Sequence, residues 1–222
     1  MKRMLWMVLG LLFLAVPLGA QTTLADYDYE NLTFRGFSLE GGHLNPNKVD
    51  PTYSWGGRLD LGYLGPGLRI VPSFSYWSST MVDSEVGKLE GKVDDLIRSQ
   101  AGPGFTGVDL GAVDWSDIAL SLDAHFVWSV PYNFLTFAGG GVAAHILNGE
   151  GEAINGTFVE DLLDSVTTGF NVHAGVEYPV LDHLRLYGLA RYELMEDLRW
   201  LEFRMGIQVM FVGPTLGEER SN

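Results

Sequence analysis

The sequence contains no cysteine among its 222 residues. This absence excludes disulfide bonds, thiolate metal sites, a cysteine nucleophile and a lipid attached to an N-terminal cysteine. The folded chain must therefore be stabilised by packing, hydrogen bonds and ion pairs.

Positively charged residues are also few. The chain has 14 Lys and Arg residues against 28 Asp and Glu residues, which gives a net charge of -14. Nucleic-acid phosphates are bound by an excess of Lys and Arg. We therefore expect no nucleic-acid partner.

Long apolar runs are missing after the N-terminus. At the N-terminus, Lys2 and Arg3 precede an apolar run at residues 4–16 and small residues up to Ala20, which is the layout of a cleavable secretory signal. A membrane anchor is the alternative, but the run is shorter than the roughly 20 residues that span a bilayer. We predict a signal peptide at residues 1–20 and a linker at 21–30. An exported chain without a later apolar helix is either soluble or crosses a membrane as strands.

What the chain does contain is an apolar residue at every second position, in segment after segment. In "WLEFRMGIQVMF", residues 200–211, every second residue from Leu201 to Phe211 is apolar, and Glu202 and Arg204 lie between them. Successive side chains of a strand point to opposite faces, so each such segment predicts a strand with one apolar face. The same alternation occurs in segments that begin at residues 55, 68, 117, 169 and 184. A segment from residue 134 does not reveal its faces, and one from residue 32 alternates only with a bulge near Arg35.

The connections between these segments alternate in length. Short turns lie at residues 64–67, 130–133 and 180–183, whereas longer connections follow the first, third and fifth strands. This arrangement is typical of a transmembrane barrel with short periplasmic turns and longer extracellular loops. We predict an all-β, eight-stranded antiparallel up-and-down barrel at residues 31–212, followed by a polar tail at 213–222.

Two of the longer connections have helical spacing of apolar residues. One lies at residues 84–100 and the other is the segment "FVEDLLDS" from Phe158. Our hypothesis is that the two helices pack on each other or across the barrel mouth. The alternative is that each loop covers only its own residues.

The two faces of the predicted strands differ in charge. The polar faces of the regular strands carry five Arg residues and five carboxylates, and buried charge is tolerated when it is paired. We therefore predict that these faces enclose a lumen plugged by ion pairs, since eight strands leave just enough room for side chains. The predicted network consists of Arg58, Asp60, Arg69, Asp123, His125, Glu177, Arg185, Arg191, Glu193, Glu202 and Arg204. Aromatic residues near the strand ends predict membrane-interface belts, formed by Tyr53, Trp55, Tyr63, Tyr76, Trp128, Tyr132, Tyr178, Trp200 and Phe211.

These features resemble the small eight-stranded outer-membrane barrels, the group of the OmpA membrane domain, OmpX and OmpW-like proteins. The stretch "RMGIQVMF" is similar to the last-strand signal of that group, with Arg204, Gly206, Val209 and Phe211 in its positions. The resemblance implies an outer-membrane location and a monomer. The implied partners are the barrel-assembly machinery, outer-membrane lipids and lipopolysaccharide.

Catalytic and metal sites are weakly indicated. Ser121, Asp123 and His125 share one strand face, but same-face neighbours lie roughly 7 Å apart, which suits hydrogen bonding along a lumen better than a catalytic triad. His43, His145 and His183 show no metal-ligand spacing. We therefore expect no enzyme, cofactor or metal. A structural or interaction barrel is the favoured function, a narrow porin or carrier is the alternative, and a lipid A-modifying enzyme is third.

Overall fold

The computed structural model describes residues 32–101 and 107–211. Within these ranges, eight long strands form a closed antiparallel barrel, as the sequence predicts, with one additional short strand and two helices. The predicted signal peptide, linker and C-terminal tail lie outside the described residues. In chain order the elements are β1 (Gly36–Pro46), β2 (Thr52–Asp60), β3 (Tyr63–Gly65), β4 (Leu68–Thr80), α1 (Asp83–Ala101), β5 (Asp114–Val130), β6 (Phe134–Glu150), α2 (Phe158–Leu163), β7 (Ser165–Leu181), β8 (Leu184–Leu194) and β9 (Arg199–Met210).

The barrel closes between β2 and β4. Each long strand pairs with its sequence neighbour, β1 pairs with β9, and β3 extends only the turn between β2 and β4. The ladder between β2 and β4 covers Ser73 to Trp77 and resumes where Leu61 donates to the carbonyl of Ile70. Pro72, which has no N–H to donate, lies in this interruption, so the closing ladder can accommodate it.

The two faces of the barrel wall differ in chemistry as the alternation indicates. On the outer face, large apolar side chains are exposed, including Leu39 at 67% and Met205 at 75%. On the inner face, charged and polar side chains are buried, including Arg69 and Glu177. An apolar exterior around a polar interior is the reverse of a water-soluble core and is the pattern of a transmembrane barrel.

Both helices lie at the loop end of the barrel and share one apolar cluster, in agreement with the hypothesis that they pack across the mouth. We call this cluster the cap cluster. It combines Val86 and Val93 of α1 and Val159 and Leu163 of α2 with residues of the strand ends and loops. The other buried members are Leu44, Val49, Trp77, Met81, Leu110, Val113, Trp115, Leu147, Ile154, Leu198 and Trp200. No helix of the described residues is long and apolar enough to cross a membrane.

The rim at the loop end is uneven. Strands β5, β6 and β7 have 17 residues each, whereas β8 has 11 and β9 has 12. The last β8 partner of β7 is Leu194, opposite Phe170. Residues 165–169 of β7 therefore have no strand partner on that side among the described residues. The connections after β1 and β8 are also short, at residues 47–51 and 195–198. The prediction of a longer connection after the first strand is therefore wrong, because β1 and β2 stay paired as far as Leu44 and Thr52. Among the described residues, two loops at this end are extended, after β4 and after β6.

Three further sequence expectations are wrong in detail. No bulge lies near Arg35, because β1 begins at Gly36 and pairs regularly from there. Trp200 is buried inside the barrel and not in an interface belt, since it lies on the same face as Glu202. Tyr63 also points inward, because the backbone turns at Gly62, where φ is +76°, and the alternation of β2 ends there.

Candidate functional site in the barrel lumen

All eleven residues of the predicted lumen network are buried inside the barrel. The first group surrounds Glu177 of β7, and we call it the Glu177 cluster. Its carboxylate lies 2.5 Å from Nη2 of Arg69, 3.1 Å from Nη2 of Arg58 and 3.5 Å from Nη1 of Arg185. Asp60 balances part of this positive charge, with Oδ2 3.6 Å from Nη1 of Arg69. Three arginines from three strands thus converge on one carboxylate.

The second group follows Arg191 of β8, and we call it the Arg191 chain. Nη1 of Arg191 lies 2.7 Å from Asp123 Oδ2, and its Nε lies 2.8 Å from Glu193 Oε2. His145 continues the chain, with Nε2 3.4 Å from Glu193 Oε1 and Nδ1 2.8 Å from Asp117 Oδ2. Ionisable side chains therefore follow one another at 2.7–3.4 Å from the barrel centre towards the cap cluster.

The third group lies between β1 and β9 around Arg204. Nη1 of Arg204 is 2.7 Å from Glu40 Oε1, and its Nε is 2.7 Å from Glu202 Oε1. Tyr187 donates its hydroxyl to Glu40 at 2.7 Å, and Ser54 donates to Glu202. Arg204, one of the assembly-signal positions, thus has a structural role in this part of the lumen.

Sequence reasoning missed several members of the network, including Glu40, Asp117, His145 and Tyr187. With Glu40 and Asp117, the buried charges become five arginines against seven carboxylates, in place of the predicted five and five. Glu40 and His145 lie on the two segments whose faces the alternation left uncertain. Asp117 shares the inner face of β5 with Asp123, so the period of two could have found it.

Glycines make room for these side chains. A Cβ on Gly141 would collide with Oδ1 of Asp123, and one on Gly42 would lie 2.7 Å from Glu202 Oε1. A Cβ on Gly206, another assembly-signal position, would collide with the ring of Tyr187. That ring lies 3.5 Å from the guanidinium carbon of Arg58. The inward glycines are therefore required by the volume of the network.

Apolar side chains cover the network at the loop end and pack beside it near the turns. The cap cluster lies at the loop end, and Trp200 contacts His145 there at 5.7 Å between ring centroids. Towards the turns, a second cluster contains Tyr63, Val127, Leu135 and Phe137, with Leu189 packed against it. This second cluster lies beside the Glu177 cluster, since Leu135 pairs with Glu177 and Tyr63 pairs with Arg69. The lumen is thus filled by ion pairs and apolar side chains together, and the cap cluster covers its loop end.

One histidine pair lies near a carboxylate. Ligand atoms of Asp123, His125 and His173 all lie within 4.8 Å of one another, which is a spacing that a metal ion can use. However, Nη2 of Arg69 lies 3.0 Å from Nδ1 of His125, and Arg191 already binds Asp123. A cation would have to enter between two guanidinium groups, which disfavours metal binding.

The same contacts disfavour a catalytic triad. His125 bonds to Arg69 and stacks on Phe137 at 4.6 Å, while Ser121 lies 2.5 Å from the hydroxyl of Ser73. A nucleophile needs a base within hydrogen-bond distance, and the hydrogen bonds of Ser121 go to Ser73 and Asp123.

The remaining assembly-signal positions lie at the turn end of β9. Val209 pairs with Leu184 of β8 and with Phe37 of β1. Phe211 is exposed, with its ring centroid 5.4 Å from that of Phe34 and 5.9 Å from that of Phe37. Val209 and Phe211 thus belong to the outer surface near the seam of β1 and β9.

Known structures with a similar fold are small outer-membrane barrels. Neisserial surface protein A (NspA) matches with a TM-score of 0.52 and 14% identity, over 80% of this chain and 97% of that chain. The N-terminal β-barrel domain of Pseudomonas aeruginosa OprF matches with 0.48 and 13%, over 79% and 97%. Ail of Yersinia pestis matches with 0.46 and 10%, over 81% and 99%. No protein-family model and no curated protein matches the sequence. The likeness to NspA shows the fold of a small outer-membrane β-barrel.

Proposed function

We propose that this protein is an outer-membrane barrel with a structural or interaction role, without enzymatic activity and with a lumen that does not conduct ions. In the proposed orientation, the short turns face the periplasm and the loop end with the cap cluster faces the exterior. The observation that carries the proposal is the filled lumen, in which the Glu177 cluster packs against Phe137 and the Arg191 chain leads to the cap cluster. The interior of an eight-stranded barrel is just wide enough for side chains to fill, so these paired side chains leave no continuous aqueous path for ions.

The surface at the loop end is the part of the barrel that we propose for interaction. The loop end carries fifteen acidic side chains and five basic ones, in residues 47–51, 83–114, 150–164 and 196–199. Loops held on a rigid scaffold are common positions for binding residues. The cap cluster holds these loops in place, which reduces the entropy that a partner would have to remove on binding.

Single-channel recording in planar bilayers tests the closed lumen. We expect no steady conductance steps from the purified wild-type protein. The double variant Arg69→Ser, Glu177→Ser removes two fully buried side chains from the centre, and we expect it to produce steps under the same conditions. Steady steps from the wild type would overturn the proposal in favour of the alternative, a narrow porin or carrier.

Three further measurements test the location, the barrel fold and the absence of enzymatic activity. We expect the protein to be found in outer-membrane fractions and to migrate faster on gels when unboiled. We also expect lipopolysaccharide to keep its mass after overexpression. A changed lipid A mass that depends on this protein would contradict the non-enzymatic role.

A further inference from the structure

Lysine is distributed unevenly in this acidic chain. Apart from Lys2 of the predicted signal peptide, the sequence contains three lysines, Lys48, Lys88 and Lys92. All three line one cavity of about 500 Å³ at the loop end of the barrel. Binding pockets for small molecules have roughly 300–1,000 Å³, so the cavity is large enough for a ligand.

The cavity lies between α1 and the unpartnered part of β7. Ser165, Val166 and Thr167 of β7 form one side, and residues 195–198, between β8 and β9, form another. β8 ends below this level, so the wall of the barrel is open here towards the side. Val166 pairs with Ile146, and both side chains are exposed on the outer face. The cavity therefore adjoins the apolar exterior of the barrel.

The floor of the cavity is apolar. Met81, Trp115, Leu147, Leu163 and Leu198 are buried members of the cap cluster that also line it. Their side chains would gain from contact with an alkyl chain, because burial of apolar surface is favourable.

Charged groups lie on two sides of the cavity. Glu85, Lys88 and Lys92 belong to α1, whereas Lys48, Glu196 and Asp197 belong to the short connections after β1 and β8. Lys88 and Lys92 are one helical turn apart, so both project to the same face with Leu89 between them. Lys88 is 2.5 Å from Glu85, and Lys48 is 3.6 Å from Asp197. Lys92 has no ion-pair partner within the described ranges, and it is exposed. An ammonium group without a partner is thus held beside an apolar floor.

We propose that this cavity binds an anionic amphiphile, which is a single alkyl chain with a carboxylate or phosphate head. The alkyl chain lies on the apolar floor and the head group accepts hydrogen bonds from Lys92 and Lys88. The ligand enters through the open side between β7 and the connection of β8 and β9. Entry from the outer leaflet rests on the proposed orientation in the membrane, whereas the binding itself does not.

Methionine methyl groups provide a direct test. Met81 and Met195 line the cavity, whereas Met205 is exposed on the outer face and Met210 is buried near the turn end. The full mature chain, labelled with ¹³C-methyl methionine, is placed in nanodiscs of zwitterionic lipid and titrated with dodecanoate or dodecyl phosphate. We expect saturable shifts of Met81 and Met195 and constant Met210. A shift of Met205 alone would show partition into the bilayer and overturn the proposal.

Matched ligands and variants separate the head group from the alkyl chain. Dodecanol and dodecyltrimethylammonium have the same chain without the anionic head, and we expect at least tenfold weaker binding. The double variant Lys88→Gln, Lys92→Gln should weaken dodecanoate binding by at least tenfold, since charge-assisted hydrogen bonds are the strong ones. Arg98→Gln, on the same helix but outside the cavity, is the control. Equal binding of all ligands, or no change in the lysine variant, would overturn the proposal.

Two arms distinguish the sources of the ligand. Titration with free dodecanoate tests a soluble amphiphile, and nanodiscs prepared with lipid A test a membrane lipid that carries phosphates. Shifts of the Met81 and Met195 signals in either titration support binding in the cavity, and their absence in both titrations overturns the proposal. Heat-modifiable migration of each variant confirms that it is folded. If Lys88→Gln, Lys92→Gln does not fold, Lys92→Gln alone replaces it. Conductance recordings test the closed lumen separately.

Discussion

Arg69 and Glu177 form a two-pronged ion pair across the lumen, with Arg69 Nη1 3.0 Å from Oε2 of Glu177 and Nη2 2.5 Å from its Oε1. Arg69 lies on β4 and Glu177 on β7, and β5 and β6 separate these strands in the barrel wall. The pair therefore connects strands that share no backbone hydrogen bonds.

Loss of the carboxylate of Glu177 should strongly destabilise the barrel. Glu177→Gln leaves Arg58, Arg69 and Arg185 without their shared negative charge, and breaking a buried ion pair costs about 3–5 kcal/mol. We expect a decrease of this size in the free energy of unfolding, measured by urea titration in lipid vesicles. Asp182→Asn, in the exposed turn between β7 and β8, is the matched control and should change it by less than about 0.5 kcal/mol.

A double variant of Arg69 and Glu177 tests whether their ion pair is retained for stability or for charge balance. A buried ion pair can often be replaced by apolar side chains of similar volume with little loss of stability. We expect Arg69→Met with Glu177→Leu to be less destabilised than Glu177→Gln. If this double variant were less stable than Glu177→Gln, apolar side chains could not replace the ion pair, and Arg58 and Arg185 would depend on it more strongly than we infer.

The inward glycines should not tolerate a methyl group. In Gly141→Ala the new Cβ would collide with Asp123 and lie 2.7 Å from the carbonyl oxygen of Leu122. Overpacking of this kind costs about 1–3 kcal/mol, to be measured by the same urea titration. Gly41→Ala serves as the control, because its nearest neighbour, the carbonyl oxygen of Ser54, would be 3.7 Å away. Equal stability of the two variants would contradict close packing around Asp123.

The attachment of α1 to the barrel can be tested by proteolysis. Val93 is buried in the cap cluster, so Val93→Asp should detach α1 without unfolding the strands. We expect trypsin to cleave after Lys88, Lys92 and Arg98 at least about tenfold faster, because cleavage follows the population of the open form. Heat-modifiable migration should be retained. Leu96→Asp changes an exposed position of α1 and should leave the cleavage rate unchanged.

The similarity of residues 204–211 to a last-strand assembly signal remains a prediction. Phe211→Ala should lower the amount of assembled barrel in cells severalfold, while refolding into lipid vesicles in vitro changes little. Phe203→Ala removes another exposed phenylalanine of β9 and is the control. Equal losses in cells for the two variants would show that Phe211 acts only through its contacts with Phe34 and Phe37.

The sequence predicted the fold where alternation is complete. Strand β5 alternates from Ile118 to Trp128 without a break, so its faces were assigned correctly. In β6, Gly139 to Gly141 have no side chains that mark a face, and the inward direction of His145 follows only from its pairing with β5 and β7. The partners of each charge could not be predicted, because contacts such as Arg69 with Glu177 depend on the closure of the barrel.

Because the strands differ in length, the loop end of the barrel is higher on one side than on the other. A wall of three long strands, β5, β6 and β7, shields the cap from one direction, whereas on the side of β8 and β9 the rim is several residues lower. Molecules that diffuse within the bilayer can approach the cap closely only from the low side. A second copy, or a different membrane protein, would therefore reach the loop end of this barrel from the side of β8 and β9.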